Sequence, residues 1–141
     1  MSHLLCVAPM MDVTDRHCRF FHRLLAPNSR LYTEMITANA VLKGNTAKLL
    51  EFDSRESPVA LQLGGSDPKL LAIASRIGSE MGYEEINLNC GCPSKRVVSG
   101  NFGASLMQSP NLVADCVKSM IDSSANLVTV KHRLAIDENE D

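Results

Sequence analysis

No apolar run in this sequence approaches the roughly 20 residues that cross a bilayer as a helix, which excludes a helical membrane span. The opening MSHLLCVAPM has neither a charged n-region nor a long apolar h-region, so it does not read as a secretory signal. Charge of neither sign dominates: the net charge is −2, and the totals announce no nucleic-acid partner. The five cysteines are odd in number and irregularly spaced, which argues against a disulfide framework and for reduced thiols in a cytoplasm. Beside Cys90 and Cys92 there is no second C-x-x-C and no His pair, so no metal site is expected. No G-x-G-x-x-G follows the first apolar run, which removes the usual dinucleotide fingerprint.

What is present is ordinary for a folded domain: 141 residues, 45% apolar and 21% charged, enough for one core. Leu4 to Ala8 reads as a buried strand stopped by Pro9. Thr14 or Asp15 caps a helix to Leu25, with Cys18, Phe21, Leu24 and Leu25 on one face and Arg16, Arg19 and Arg23 as a solvated one. Leu31 to Thr33 is a second strand ending at Glu34, and Thr37 to Lys43 is helical until Gly44. Val59 to Leu63 is a third strand, closed by Gly64-Gly65. Asp67-Pro68 starts a helix to Glu80, with Gly82 just past its end. Glu85 to Asn89 is a fourth strand, Ser109-Pro110 starts a helix to about Ser123, and Val128 to Lys131 is a fifth strand before an acidic tail, Asp137 to Asp141.

Strands thus alternate with helices, and the strand runs look apolar without polar alternation, as in a parallel sheet covered on both sides. A doubly wound sheet and part of a (β/α)₈ barrel both fit that order. Polar or unusual residues at the strand ends decide for the barrel: Pro9-Met10, Glu34, Gln62, Asn89 and Lys131. In barrels the C-terminal strand ends converge on one site. A full barrel takes about 250 residues, so the expected fold is a partial, truncated TIM barrel of about five parallel strands and four helices.

The chemistry concentrates in EEINLNCGCPSKRVVSGNFGASLM, residues 84–107, where a short strand delivers two cysteines to a Gly- and Pro-bearing loop. A thiol near its ordinary pKa of about 8.5 is mostly protonated at pH 7 and suits a general acid. An inert loop cysteine is the alternative for Cys92, and Cys6, Cys18 and Cys116 read as small core hydrophobes. Lys131 ends a Val-Thr-Val strand, where its ammonium needs an anion, an electron-rich ring, or a path to the surface. Gln62 is a two-way hydrogen-bonding amide, suited to a heteroaromatic edge or to neighbouring backbone. Asn89 orients a substrate or caps its own turn, Glu34 pairs with a cation or lies at the surface, and Lys95-Arg96 hold phosphates or form a solvated pair. Met10-Met11 are core filler or lie against a flat ligand. Together these groups fit a pocket for a planar heteroaromatic molecule.

These residues also carry a family resemblance. Val7-Ala8-Pro9-Met10, Thr14 to Arg19, Leu31 to Met35, Pro58 to Pro68, Glu85 to Asn89, Gly91 to Ser94, Gly100, Phe102 to Ala104, Leu112 to Lys118 and Val128 to Lys131 match its motifs over nearly the whole chain. The chain resembles the flavin-dependent tRNA-dihydrouridine synthases, most closely the branch acting on uridines 20 and 20a of the tRNA D-loop. The resemblance implies FMN reduced by NADPH, hydride delivery to C6 of uridine, and Cys92 as the general acid at C5. It implies Pro9, Met10 and Met11 against the flavin, Gln62 and Lys131 at its ring edge, Asn89 as a uridine or tRNA contact, and Lys95 and Arg96 where tRNA approaches.

Val13 stands where this branch usually has an aromatic residue, and Ala135 replaces a glycine expected after the fifth strand. Residues 1–141 are expected to be the N-terminal part of a flavin-binding barrel, with the later barrel half and a helical tRNA-binding domain absent. That absence accounts for the missing basic footprint. Unpaired strand edges then favour self-association. Two alternatives stay open: a flavin barrel reducing free pyrimidines, as dihydroorotate or dihydropyrimidine dehydrogenases do, and a non-catalytic fragment.

Overall fold

The computed structural model describes residues 5–124 and 126–136. Leu4 of the first predicted strand and the acidic tail from Asp137 lie outside them. Strands and helices alternate: β1 (Cys6–Val7), α1 (Arg16–Leu25), β2 (Arg30–Tyr32), β3 (Ile36–Thr37), α2 (Ala38–Lys43) and α3 (Thr46–Leu49). After a 3₁₀ turn (Ser54–Glu56) come β4 (Val59–Gly64), α4 (Pro68–Glu80), β5 (Glu85–Cys90) and α5 (Lys95–Ser99). A second 3₁₀ stretch (Gly103–Gln108), α6 (Pro110–Ser123) and β6 (Leu127–His132) follow.

All strand pairs are parallel, in the order β1-β2-β4-β5-β6. β3 pairs with the end of β4, Ile36 opposite Leu63, while β2 pairs with its start, Leu31 opposite Val59. The two are therefore one barrel strand interrupted at residues 33–35. Each barrel strand lies beside its successor in sequence, as in a singly wound barrel; a doubly wound sheet reverses direction from an interior strand. The fold is a curled partial (β/α)₈ barrel with five parallel barrel strands.

The outer face of the sheet is apolar. Val59, Leu61 and Leu63 of β4 and Ile86, Leu88 and Cys90 of β5 pack with Leu71 and Ala74 of α4 and Cys116 and Met120 of α6. Each fully buried leucine contributes about 1.5–3 kcal/mol of apolar burial. Helix α4 starts where Asp67 accepts the N–H groups of Lys69 and Leu70 and Pro68 fills the first position. It buries Leu71, Ala74, Ser75 and Gly78, a stripe of helical spacing. A Cβ on Gly78 would stand 2.6 Å from Leu61 Cδ2, so only glycine lets the helix lie this close to the sheet.

The inner face differs from the sequence expectation. Strand residues do alternate: Gln62, Glu85, Asn87, Asn89 and Thr129 project between the apolar positions, away from the helices, and bond to one another. The apolar runs hide a period of two, because the lumen of this barrel is filled with polar side chains rather than aliphatic layers.

Helix α1 also reverses expectation. Arg19 and Arg23 are 5% and 9% exposed, whereas Phe21, Leu24 and Leu25 are 58%, 66% and 68% exposed. Arg19 Nε donates to Glu56 at 2.7 Å and its Nη1 to the Thr14 carbonyl. Arg23 donates to the carbonyls of Pro27, Ser29, Glu56 and Pro58. Those carbonyls lie in the segments flanking β2 and β4, and one guanidinium fork satisfies several at once. The arginine side of α1 therefore faces inward, and its apolar side faces out.

Candidate active site

β5 ends at Cys90, and the chain turns sharply through Gly91 into Cys92. Asn89 holds that turn: its Oδ1 accepts the N–H of Gly91 at 3.2 Å and of Cys92 at 3.0 Å. From the other side the Cys92 carbonyl accepts the N–H of Ala104 at 3.0 Å. Gly103, at φ 69°, makes this second contact possible, since a Cβ there would lie 2.7 Å from the Cys92 oxygen and 2.4 Å from Val97 Cγ1.

The two cysteines of the C-x-C pair face opposite ways. Cys90 is buried on the helix side with Cys116, and burial, followed by the neighbouring Cys116, pushes its thiol up to about 11. Cys92 is half-buried on a cleft of about 1050 Å³ that opens at the C-terminal strand ends. Met11, Glu34, Met35, Arg96 and Phe102 line the same cleft, which continues along α1 and α2 to Arg19 and Lys48. Strand alternation alone would put residues 90 and 92 on one face, but β5 ends at Cys90 and the turn at Gly91 breaks the alternation, so the two cysteines do not form a paired ligand set. Among the described residues no cluster of three His, Cys, Asp or Glu side chains could hold a metal ion.

Beneath Cys92 the lumen side chains form one hydrogen-bonded line. Asn89 Nδ2 donates to Gln62 Oε1 at 2.9 Å, and Gln62 Nε2 donates to Asn87 Oδ1 at 2.8 Å. Asn87 Nδ2 donates to Thr129 Oγ1 at 2.7 Å, and Thr129 donates to Glu85 Oε1 at 2.6 Å. Tyr32 donates to the same Glu85 oxygen, and Arg30 Nε lies 3.6 Å from Oε2. Burial first, then the bond to Glu85, pushes the Tyr32 phenol well above its ordinary value.

The predicted site residues fall into three groups. Cys92, Asn89 and Gln62 are joined by consecutive hydrogen bonds, and Lys131 is the register partner of Asn89 on β6. Lys131 is exposed, because β6 is the edge strand of the sheet. Pro9, Met10 and Met11 leave the C-terminal end of β1; fully buried Thr14 accepts the Met10 N–H at 2.9 Å, and only Met11 of the three reaches the cleft. Lys95 and Arg96 lie in the short helix α5, both exposed, and Arg96 lines the cleft. Glu34 is half-buried and accepts the backbone N–H of Asp12.

Asn87, Thr129 and Glu85 are not among the residues the sequence motifs point to, although Glu85, Asn87 and Asn89 at alternate positions carry the signal of one polar strand face. The relay uses one of the two amide hydrogens and one of the two lone pairs of Gln62, leaving one of each for a ring edge. A thiol, two methionines and a phenylalanine line the cleft and suit a flat, polarisable molecule, while Gln62 and Asn89 are buried and not among its lining residues.

The family described as dihydrouridine synthase (Dus) matches residues 6–141. The chain is 64% identical over 137 residues to the tRNA-dihydrouridine(20/20a) synthase of Xanthomonas campestris, covering 97% of this chain and 41% of that protein. It is 60% identical over 136 residues to the protein of that name from Synechocystis, covering 96% and 41%. For the one from Pseudomonas aeruginosa, identity is 55% over 136 residues, again 96% and 41%. The chain spans about 41% of the length of these curated relatives. On this match, the chain belongs to the dihydrouridine synthase family.

Proposed function

We propose that this sequence is the N-terminal barrel portion of a tRNA-dihydrouridine(20/20a) synthase. The reaction saturates the C5–C6 bond of a uridine in the tRNA D-loop. The observation that carries the reading is the meeting of Cys92, Asn89 and Gln62 at the C-terminal strand ends, linked by hydrogen bonds of 3.0 and 2.9 Å. FMN reduced by NADPH would, when bound, supply hydride chemistry toward C6 of the uridine. Cys92 keeps its proton on Sγ and delivers it to C5, then regains one from solvent. Hydride and proton together add two electrons and two hydrogens across the double bond.

Gln62, Lys131, Pro9, Met10 and Met11 are the residues that would hold the flavin: Gln62 would bond its ring edge, Lys131 would stabilise negative charge on the reduced ring, and Pro9, Met10 and Met11 would pack against it. Asn89 fixes the turn that carries the thiol and faces the uridine, and Lys95 and Arg96 meet the tRNA backbone. In the whole enzyme, later barrel strands and a helical domain complete the flavin site and grip the tRNA. The cytoplasm is where such a substrate resides.

The test uses the complete enzyme, NADPH and tRNA lacking dihydrouridine. Nucleoside mass spectrometry is expected to show one H₂ gained per target uridine, with a flavin spectrum in the purified protein and no turnover of free uracil. Reduction of free uracil but not tRNA would move the assignment to a pyrimidine reductase. A colourless protein without NADPH oxidation would refute the enzyme reading.

A further inference from the structure

The line of side chains under Cys92 has a direction, and both of its ends dictate the same one. At the lower end stands the carboxylate of Glu85, 3% exposed, which accepts from both Thr129 and Tyr32. Because Thr129 spends its only hydrogen there, its oxygen can only accept, and the neighbouring Asn87 must turn its NH₂ group toward it. The Asn87 oxygen then faces Gln62, whose NH₂ donates to it, and the Gln62 oxygen faces Asn89, whose NH₂ donates in turn. This leaves the Asn89 oxygen aimed at the N–H groups of Gly91 and Cys92, which can only donate. An acceptor at the base and donors at the rim therefore fix three amide orientations between them, with no freedom to flip.

We propose that Glu85, Thr129 and Asn87 are positioning residues for the reaction at Cys92, setting the amide sense of Gln62 and Asn89 and so holding the Gly91–Cys92 turn. This assignment deepens the functional reading and rests on it for the reaction, but the orientation it describes is a property of the fold. None of the three reaches the cleft. Glu85, Asn87 and Thr129 lie on adjacent strands in register, Asn87 opposite Thr129 and Gln62 opposite Asn87, so each handover crosses to a neighbouring strand. A side chain four hydrogen bonds from Cys92 then governs whether its backbone is held.

Thr129→Val removes the hydroxyl while keeping the shape, so the Asn87 NH₂ loses its acceptor and the amide senses are held from the rim alone; Thr129→Ser restores the hydroxyl. In the complete enzyme, amide hydrogen exchange at Gly91 and Cys92 is expected to rise about tenfold in Thr129→Val and return to the parent rate in Thr129→Ser. Single-turnover reoxidation of the reduced flavin by tRNA is expected to slow about tenfold with flavin reduction by NADPH unchanged, again with rescue by serine. Unchanged exchange at Gly91 and Cys92 in a folded Thr129→Val protein overturns the relay. Altered exchange with unaltered reoxidation overturns the positioning role. If the parent enzyme makes no dihydrouridine, the functional reading fails, and the exchange comparison still decides the relay.

Discussion

Asn89 takes the backbone N–H of Cys92 on its side-chain oxygen at 3.0 Å, and with the Gly91 N–H on the same oxygen this ties the thiol-bearing turn to the polar interior of the barrel. The same side chain donates downward to Gln62. Truncating it removes an acceptor for two backbone donors and the donor to a buried amide. Asn89→Ala is expected to lower unfolding stability by about 1–3 kcal/mol in urea titration, and to speed alkylation of Cys92 by loosening its turn. Unchanged alkylation of Cys92 would show that the turn holds itself.

The Arg19–Glu56 pair is the most deeply buried ion pair among the described residues: 2.7 Å, with both side chains almost completely buried. Glu56 also accepts the Asp53 N–H, closing a capping box over the 3₁₀ turn before β4. Removing one partner strands a buried charge, so Glu56→Ala is expected to cost about 3–5 kcal/mol. A double-mutant cycle with Arg19→Met should recover part of that loss, and additive losses would contradict direct pairing.

This pair also shows why the arginine row of α1 is deceptive. The spacing of Arg16, Arg19 and Arg23 looks like a solvated face because most such rows are; Arg16 is indeed exposed, but Arg19 and Arg23 turn inward to Glu56 and Pro58, more than thirty residues away in sequence. Elements with strong local signals were legible: Asp67-Pro68 starts α4 and Thr37 to Gly44 bounds α2 where the caps say. The strand-end set was legible too, since Gln62 and Asn89 are conspicuous in apolar runs. The relay was harder to see, because Thr129 and Asn87 acquire their meaning only from cross-strand register. Helix α5 and the 3₁₀ stretch after it are too short to carry periodicity, so the segment following Cys92 read as plain loop.

Gly103 predicts a local, sharp effect. At φ 69°, alanine is strained, and its Cβ would press on the Cys92 oxygen and on Val97. Gly103→Ala is expected to lower stability by about 1–3 kcal/mol in thermal or urea unfolding and to displace the Cys92 turn. A neutral effect would mean the turn relaxes without disturbing Cys92.

Alkaline pH should weaken the fold through its buried thiols. Burial, aided by Cys116, holds Cys90 at about 11, and burial, aided by Asp115 and Asp67, holds Cys116 at about 11, against an ordinary 9.0. Unfolded, both thiols release protons from about pH 9, while the folded protein keeps them to near 11, so stability is full below 9 and falls as pH rises through 11. Urea midpoints measured from pH 8 to 11 are expected to decline, with a flatter decline in the Cys90→Ala, Cys116→Ala double variant. Equal slopes in both proteins would assign the loss to other groups.

The outward apolar face of α1 and the edge strand β6 predict association of this chain by itself. Phe21, Leu24 and Leu25 stand together in solvent, and β6 presents an unshared edge. Sedimentation velocity is expected to show concentration-dependent self-association, reduced by Leu24→Glu with Leu25→Glu. A monodisperse monomer at all concentrations would contradict it.

The most direct measurement compares Cys92→Ala with Cys90→Ala in the complete enzyme, counting dihydrouridine in tRNA by mass spectrometry after reaction with NADPH. The two thiols are two residues apart but face opposite sides of the sheet, so loss of product in Cys92→Ala with product retained in Cys90→Ala is the predicted result. Full product formation by Cys92→Ala would contradict Cys92 as the proton donor.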